Sequence, residues 1–347
     1  MKTRIVLLAT LITLLSISGV VVAYEQPAAA GPAMPGLAAA LQQDVSPPDT
    51  VLTVGSPRYT SNDTLWVSAH TSHTLTGVDD VDPPTAVATF VRFYPIVAGG
   101  TADFRAYTGP FTLAGFDGRY QVEFYSRDTA GNVEDVASQI ELLDTTPPLA
   151  TWTVGTPVYY DDFGQPWITN ETFHTLEAED SAAPDGSAGS GVQEIRYHFA
   201  SGPVAPSADF IVYDAPFQVA GPDGEYDIDI FAVDNVANQG QVQTVKAFLD
   251  TTPPAVDIDG PYVSTEGSEF TFDATGTTDA GSGLAEIAWD LDGDGVFGDA
   301  TGPVATHTFA DNGSYFIGIR VTDNLGNSDI LPTSVDVRNA DPVVSLT

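Results

Sequence analysis

Residues 223–238 read Asp-Gly-Glu-Tyr-Asp-Ile-Asp-Ile-Phe-Ala-Val-Asp-Asn-Val-Ala-Asn, and this stretch decides the fold. From Tyr226 onward, alternate residues are Tyr, Ile, Ile and Ala, and the residues between them are mostly acidic. This period of two is typical of a β-strand with one face on a core. The Asp-x-x-Ala-Asn that follows is typical of a turn, in which the Asp side chain accepts backbone N–H bonds. The pattern predicts a hairpin whose second strand runs from about Val242 to Phe248.

The same stretch occurs three times. Each copy has a Gly-x-Tyr element that ends at Tyr120, Tyr226 or Tyr315, with an Asp eight residues after the Tyr and an Asn four residues later. An Asp-Val-Ser-Pro-Pro or Asp-Thr-Thr-Pro-Pro segment begins each repeat, at residues 44–48, 144–148 and 250–254. Repeats of about 100 residues with this pattern predict an all-β chain of tandem immunoglobulin-like β-sandwich domains. In such sandwiches a Tyr at this place donates its hydroxyl to backbone slightly upstream, and we expect the same of these three.

The two ends of the chain carry different signals. Lys2 and Arg4 precede an apolar run that ends near Ala23, which indicates a secretory signal peptide or, if uncleaved, a membrane anchor. The predicted organisation is a signal segment at 1–23, an Ala/Pro/Gly-rich linker at 24–47, Ig-like sandwiches at 48–147 and 148–253, a third sandwich at 254–338, and the truncated start of a further repeat at 339–347. We therefore expect a secreted or cell-surface protein.

The charge excludes several kinds of partner. Lys and Arg total 11, Asp and Glu total 47, and the net charge is −36. This balance excludes nucleic acid and disfavours anionic membrane surfaces, so membrane contact is expected only through an uncleaved N-terminal segment. Surplus carboxylates suit divalent cations, a salty medium, or solubility alone. The absence of cysteine excludes disulfides and thiol chemistry, so apolar cores must hold the domains.

The third repeat resembles a PKD domain over about residues 255–338. The matching motifs are Trp289-Asp290, Gly293-Asp294-Gly295, His307-Thr-Phe309, Gly313-Ser-Tyr315 and Val321-Thr-Asp-Asn-Leu-Gly326. The pattern departs from the family at Leu291-Asp292, where one residue is usual. The first two repeats resemble the bacterial-type Ig-like repeats of surface proteins, through Ser190-Gly-Val192 and the Asp-Thr-Thr-Pro-Pro linker. Both resemblances imply spacers and adhesion modules rather than catalysts.

One loop of the third repeat matches part of a calcium-binding pattern. Asp290, Asp292 and Asp294 stand at positions 1, 3 and 5, and the carbonyl of Val296 at position 7. Position 12 is a Thr instead of the bidentate Glu, so Asp299 would have to substitute in part. The two interpretations are a calcium loop and an Asp/Gly-rich hairpin turn. No other cofactor is expected.

The linker aspartates offer a similar choice. Asp144 and Asp250 precede Thr-Thr-Pro-Pro, in which two prolines stiffen an extended chain. An Asp at a domain junction could bind calcium, but the favoured interpretation is a stiff linker with a solvated Asp.

The sequence predicts a non-catalytic protein. It contains no Ser/His/Asp order, His-Glu-x-x-His or Gly-rich phosphate loop. His73 and His174 occupy matching repeat positions, which indicates packing. Asn62 and Asn170 begin N-glycosylation sequons.

The predicted function is an extracellular spacer and adhesion or interaction module, with proteins or glycans as partners. The alternatives are an accessory region of a larger secreted hydrolase and a carbohydrate-binding module. Trp66, Trp152 and Trp167 could stack on sugars, but Trp66 and Trp167 match between repeats and are more simply core residues.

Overall fold

The computed structural model describes residues 44–97, 100–202 and 209–340. The predicted signal segment, most of the predicted linker at 24–47 and most of the predicted start of a further repeat at 339–347 lie outside the described residues. Every regular element in the described ranges is a β-strand. None of these residues forms a helix long and apolar enough to cross a membrane.

The strands fall into three groups that follow the three repeats. The first group is β1 (Asp49–Val54), β2 (Arg58–Ser61), β3 (Thr64–Val67), β4 (His73–Val78), β5 (Ala88–Pro95), β6 (Arg105–Ala106), β7 (Gly118–Arg127) and β8 (Ala137–Leu143). The second group is β9 (Leu149–Val154), β10 (Val158–Tyr160), β11 (Pro166–Ile168), β12 (Phe173–Glu179), β13 (Val192–Ser201), β14 (Ile211–Val212), β15 (Phe217–Gln218), β16 (Gly224–Asp234) and β17 (Gln243–Leu249). The third group is β18 (Tyr262–Thr265), β19 (Glu269–Asp273), β20 (Leu284–Asp290), β21 (Ala300–Thr301), β22 (Val304–Thr308), β23 (Gly313–Asp323) and β24 (Ser328–Arg338).

Each group forms a sandwich of one small and one large sheet. The sheet orders are β1-β4 and β2-β3-β8-β7-β5-β6 in the first sandwich, β15-β12-β9 and β10-β11-β17-β16-β13-β14 in the second, and β19-β22 and β18-β24-β23-β20-β21 in the third. One parallel pair occurs in each large sheet, and the other pairs are antiparallel. The predicted hairpins are present as β7–β8, β16–β17 and β23–β24. The all-β, tandem Ig-like fold class is therefore confirmed.

Each sandwich has its own apolar core between its two sheets. In the second sandwich the predicted inward residues Tyr226, Ile228, Ile230 and Ala232 are all buried. In the third, Trp289 is fully buried and donates its Nε1–H to the carbonyl of Gly302 at 2.9 Å. Because the protein has no disulfide, these cores hold the sheets together.

The predicted tyrosine hydrogen bonds are present in all three sandwiches. Each hydroxyl donates to the carbonyl four residues upstream: Tyr120 to Phe116 at 3.2 Å, Tyr226 to Pro222 at 3.0 Å, and Tyr315 to Asp311 at 3.0 Å. In the first two sandwiches the approach is close enough to require glycine, since a Cβ on Gly115 or Gly221 would lie 2.3 or 2.2 Å from the Tyr hydroxyl. The Tyr therefore fixes the chain at the foot of its strand.

Removing one of these hydroxyls tests their contribution. We expect Tyr226→Phe to lower the free energy of unfolding of the full chain by about 1 kcal/mol, because one buried hydrogen bond is lost and a carbonyl loses its donor. Urea denaturation measures the change, and Tyr160→Phe, at an exposed tyrosine, is the matched control. Equal stability of both variants would contradict the expectation.

The turn between the hairpin strands has the predicted chemistry. The Oδ1 atom of Asp234 accepts the backbone N–H of Val236 at 2.9 Å and of Asn238 at 2.8 Å. Asp128 and Asp323 accept the corresponding bonds in their sandwiches. The turn requires a positive φ, which Gly supplies in the first and third copies and Ala237, at φ 66°, in the second.

Ala237 is therefore strained where its counterparts are not. An L-residue in the left-handed region costs about 1–2 kcal/mol, and glycine there gives back part of this as unfolded-state entropy. We expect Ala237→Gly to raise the free energy of unfolding by up to about 1 kcal/mol. The reverse change at the matched position, Gly326→Ala, should lower it, and both are measured by urea denaturation. Destabilisation by Ala237→Gly would contradict this account.

The repeat-matched histidines are both fully buried, as their predicted packing role requires. The Nε2 atom of His73 lies 2.6 Å from a carboxylate oxygen of Glu141. The second sandwich has Ala247 at the register position of Glu141, and its His174 instead accepts the Nε1–H of Trp152 at 3.0 Å. Burial without a charged partner lowers the pKa of His174 to about 4.

This histidine gives the second sandwich a defined pH dependence. Between about pH 6.5, the ordinary pKa of histidine, and about pH 4, the unfolded chain takes up a proton that the folded chain excludes. The contribution of His174 to stability should therefore fall as the pH falls through this window. We expect His174→Asn to remove this contribution, so that the variant loses less stability than the parent chain between about pH 6.5 and pH 4, measured by urea denaturation at a series of pH values. An unchanged slope would contradict the assignment.

Candidate cation sites at the domain junctions

Asp144 connects the first two sandwiches with three different atoms. Its backbone N–H donates to the carbonyl of Val67, in the first sandwich, at 2.9 Å. Its Oδ2 accepts the N–H of Ser190, and its own carbonyl accepts the side-chain amide of Asn238, both in the second sandwich, at 2.7 and 2.9 Å. One residue thus holds backbone from one domain and loops from the next.

Asp250 repeats this arrangement between the second and third sandwiches. Its N–H donates to the carbonyl of Ile168 at 2.9 Å, its Oδ2 accepts the N–H of Ser282 at 2.7 Å, and its carbonyl accepts the amide of Asn327 at 3.3 Å. We call the segment Asp144–Pro148 the first junction and the segment Asp250–Pro254 the second junction.

The favoured sequence interpretation of these aspartates was wrong. Asp144 is 3% exposed and Asp250 is 1% exposed, so neither is a solvated residue of a free linker. The partner of Asp144 at Ser190 lies 46 residues away and the one at Asn238 lies 94 residues away. Neither contact can be predicted from the linker motif alone, because both partners lie outside it.

The threonines of each linker are bound to the preceding sandwich. Asp117, in the Asp-Gly-x-Tyr element, accepts the N–H of Thr145 at 2.8 Å and the hydroxyls of Thr145 and Thr146 at 2.6 and 2.5 Å. Asp223 makes the matching bonds to the threonines of the second junction. The linker is therefore fixed on the side of the domain that it leaves.

Each junction aspartate also belongs to a group of three carboxylates. Asp144, Asp180 and Asp234 offer one oxygen each within 4.8 Å of one another, and we call them the first cluster. Asp250, Asp279 and Asp323 do the same and form the second cluster. In both clusters the first and third residues are buried and the second is half-buried. Sequence reasoning treated the third residue of each cluster only as a turn former and missed the second, which follows the small-sheet strand β12 in the second sandwich and lies in the loop after β19 in the third.

The carboxylates of the first cluster repel one another. Burial, together with the charges of Asp144 and Asp234, raises the pKa of Asp180 to about 6. Burial also raises the pKa of Asp234. In the part of the chain that the structure describes, none of the six carboxylates forms an ion pair with Lys or Arg. Buried like charges without a counter-charge are destabilising.

Two serine hydroxyls give an independent sign that these places hold a ligand. Ser190 and Ser282, the residues whose N–H groups bind the linker carboxylates, are 4% and 6% exposed. The Oγ atom of each is buried and has no hydrogen-bond partner, and the same is true of the Oδ1 atom of Asp180. Buried polar atoms are almost always satisfied, so unsatisfied oxygens at the same position in two junctions require an explanation.

The donor set fits a hard divalent cation. Calcium takes six to eight oxygens at about 2.3–2.6 Å, so any two of its ligands are at most about 5 Å apart. The separation of up to 4.8 Å among the carboxylate oxygens is compatible with one shared ion. Each cluster supplies carboxylate oxygens next to carbonyl and hydroxyl oxygens, and calcium prefers oxygen ligands of this kind.

The predicted loop of the third sandwich has a different character. One oxygen each of Asp290, Asp292 and Asp294 also lie within 4.8 Å of one another, but only Asp290 is buried. Its two oxygens accept N–H bonds from the loop glycines at 2.7 and 2.9 Å, and Asp294 accepts the N–H of Val296 at 2.7 Å. Asp299 accepts the N–H of Leu291 at 2.8 Å. These bonds are typical of a hairpin turn, and a calcium ion in this loop stays a prediction.

The remaining sequence candidates lie on the surface or at the junctions. Asn62 and Asn170 are exposed, and their glycosylation stays a prediction. The core assignment of Trp66 and Trp167 was wrong, since both are half-buried and lie outside the cores. Trp66 donates its Nε1–H to the carbonyl of Ala188, in the second sandwich, at 3.2 Å. Trp152 packs on its core and stacks on His174, so it is not a free platform for sugars.

Comparisons with known proteins give one family match and several similar structures. No curated protein sequence matches the chain. A solved structure of a 1.5-MDa bacterial ice-binding adhesin has 15% identity and a TM-score of 0.35, and the match covers 85% of this chain and all of that one. A Ca²⁺-stabilised adhesin of an Antarctic bacterium has 16% identity and a TM-score of 0.33, over 86% of this chain and 75% of that one. Fibronectin(III)-like modules of Clostridium thermocellum CbhA have 13% identity and a TM-score of 0.30, over 57% of this chain and all of that one.

The family match falls on the third sandwich. The model described as PKD domain matches residues 251–337, which agrees with the resemblance of the Trp289-Asp290 and Gly313-Ser-Tyr315 motifs. Those residues form the fully buried Trp of the core and the Tyr at the foot of β23. Residues 251–337 thus match the PKD domain family, and they follow two Ig-like sandwiches in the same chain.

Proposed function

We propose that this chain is a non-catalytic extracellular spacer and adhesion module whose domain junctions are held by calcium. The observation that carries the proposal is the pair of matching carboxylate clusters at the two junctions. A spacer must keep its domains at defined angles, and these clusters lie where those angles are set.

The arrangement would couple ion binding to the geometry of each junction. In the first cluster Asp144 belongs to the linker, whereas Asp180 and Asp234 belong to the second sandwich. One ion shared by the three would fix the linker on the following domain. The bonds from Asp117 to the threonines already fix it on the preceding domain.

Calcium is favoured over magnesium by the shape of the donor set. Magnesium requires near-ideal octahedral geometry at about 2.0–2.1 Å and keeps several waters. The junction oxygens come from a linker, a strand end and a turn, and they are already engaged in hydrogen bonds to backbone N–H groups. Calcium tolerates such irregular ligand sets with six to eight oxygens.

The adhesion part of the proposal rests on repetition and surface character. Matched residues serve packing, turns and junctions, so the repeats offer outer faces rather than a cleft built for one reaction. The proposed partners are extracellular proteins or glycans. The apolar N-terminal run supports secretion or attachment to the cell surface. An accessory region of a secreted hydrolase would use the same modules in the same way, and a catalytic domain in the same gene would favour that alternative.

Calcium should stabilise the full chain beyond the effect of salt. A ligand that binds only the folded state adds about 2.7 kcal/mol at a hundred times its dissociation constant, and extracellular calcium sites have dissociation constants of roughly 0.1–1 mM. We expect calcium to raise the thermal unfolding midpoint more than magnesium or sodium chloride at matched ionic strength.

Variants distinguish calcium binding at the junctions from general screening of the protein's charge by salt. Asp180→Asn and Asp279→Asn should each reduce the calcium effect, because each removes a charge from one cluster and keeps an oxygen for the loop N–H. Asp162→Asn, at an exposed carboxylate outside both clusters, should leave it unchanged. Asp292→Ala tests the third-sandwich loop, and a smaller number of bound ions by calorimetry would place an ion there. If calcium stabilises no more than matched sodium chloride, the proposed junction sites are wrong.

A further inference from the structure

The two junctions differ in one loop. In the second sandwich, nine residues (181–189) separate Asp180 from Ser190, whereas two residues separate the equivalent Asp279 from Ser282 in the third. Both loops connect the small sheet to the large sheet, and both begin and end at a carboxylate cluster. The extra residues occur only at the first junction.

The longer loop reaches back onto the first sandwich. Its Asp185 accepts the backbone N–H of Arg119 at 2.9 Å, and the carbonyl of its Ala188 accepts the indole N–H of Trp66 at 3.2 Å. The approach is close, since a Cβ on Gly118 would lie 2.8 Å from the Asp185 carboxylate. We call residues 181–189 the clamp loop.

The clamp loop is ordered by its own hydrogen bonds. Gly186 donates its N–H to the carbonyl of Ala183 at 2.9 Å, and Ala183 donates to the carbonyl of Ser187 at 2.8 Å. Asp185 also accepts the N–H of Ser187, at 2.9 Å. The loop therefore presents a preformed turn to the first sandwich, and little conformational entropy remains to be lost when it makes its contacts.

The matching surface of the second sandwich has no such cover. Trp167, the counterpart of Trp66, donates its indole N–H within its own sandwich, to Asp161 at 3.4 Å. Each junction has a cavity, of about 400 Å³ at the first and about 390 Å³ at the second, but only the first is walled by the clamp loop, through Pro184 and Asp185. Glu225 stands where the first sandwich has Arg119.

We infer that the two junctions have different mechanical roles: the first is clamped independently of calcium, and the second is the hinge of the chain and becomes rigid only when its cluster holds the ion. The inference rests on the proposed function, because it assumes that both clusters bind calcium. Its physical basis is that the first junction has direct hydrogen bonds outside its cluster, whereas the described contacts across the second are those of Asp250. Without the ion, the buried carboxylates there repel one another, and among the described residues no loop like the clamp loop holds that junction.

Spin labels can measure each junction separately in the full chain. The protein has no cysteine, so exposed positions can be labelled in pairs: Ser138→Cys with Ala215→Cys across the first junction, and Ala215→Cys with Thr306→Cys across the second. Double electron–electron resonance gives the width of each distance distribution. We expect chelation of calcium to widen the second distribution about twofold and to leave the first nearly unchanged.

A double variant that lacks the contacts of the clamp loop provides a second test. Trp66→Phe with Asp185→Ala removes both direct bonds to the first sandwich without touching either cluster, and chelation should then widen the first distribution as well. Trp167→Phe is the matched control and should not alter the response of the first pair. If chelation widens both distributions equally in the parent chain, or only the first, the inference is wrong and the proposed calcium sites stand. If calcium changes neither distribution and does not stabilise the chain, both are wrong.

Discussion

The architecture depends on one buried aspartate at each junction whose backbone belongs to one sandwich and whose carboxylate belongs to the next. Asp144 and Asp250 each donate an N–H to a strand of the preceding domain and accept an N–H from a loop of the following one. A buried carboxylate is tolerated only where hydrogen bonds or a counter-charge compensate its lost hydration. The relative placement of two domains therefore depends on the polar groups that surround this side chain.

The sequence predicted the features that depend on residues close together in the chain. It missed the contacts between residues that are far apart in the chain. The strand after Tyr226, the turn at Asp234 and the hydroxyl bond to Pro222 were predicted correctly, because each depends on residues within about ten positions. The burial of Asp144 was missed, because its partners at Ser190 and Asn238 lie 46 and 94 residues further along the chain. The spacing of residues within a motif predicts the hydrogen bonds of a turn. It does not show which domain packs over that turn.

Trp66 and Trp167 show the same limit of prediction from sequence. A tryptophan at a matching position in two repeats indicates a structural role, and the core was the simplest one to assign. Both indoles lie at a junction instead, and they make different contacts there, since Trp66 reaches Ala188 of the next sandwich and Trp167 reaches Asp161 of its own. The difference arises from the length of a loop in the neighbouring domain, which a comparison of the two tryptophan positions does not reveal.

The charge of −36 is divided into two physically different populations. Exposed carboxylates lie in water, where simple salt screens them over a Debye length of about 8–10 Å. The junction carboxylates are withdrawn from water, and mobile monovalent ions compensate them poorly; the raised pKa of Asp180, caused first by burial, is the sign of this. Ionic strength therefore acts on the surfaces of the sandwiches, and in the proposed mechanism a divalent ion acts on the angles between them. In that mechanism, the exposed carboxylates would respond to ionic strength in general, and the geometry of the junctions would respond to one specific ion.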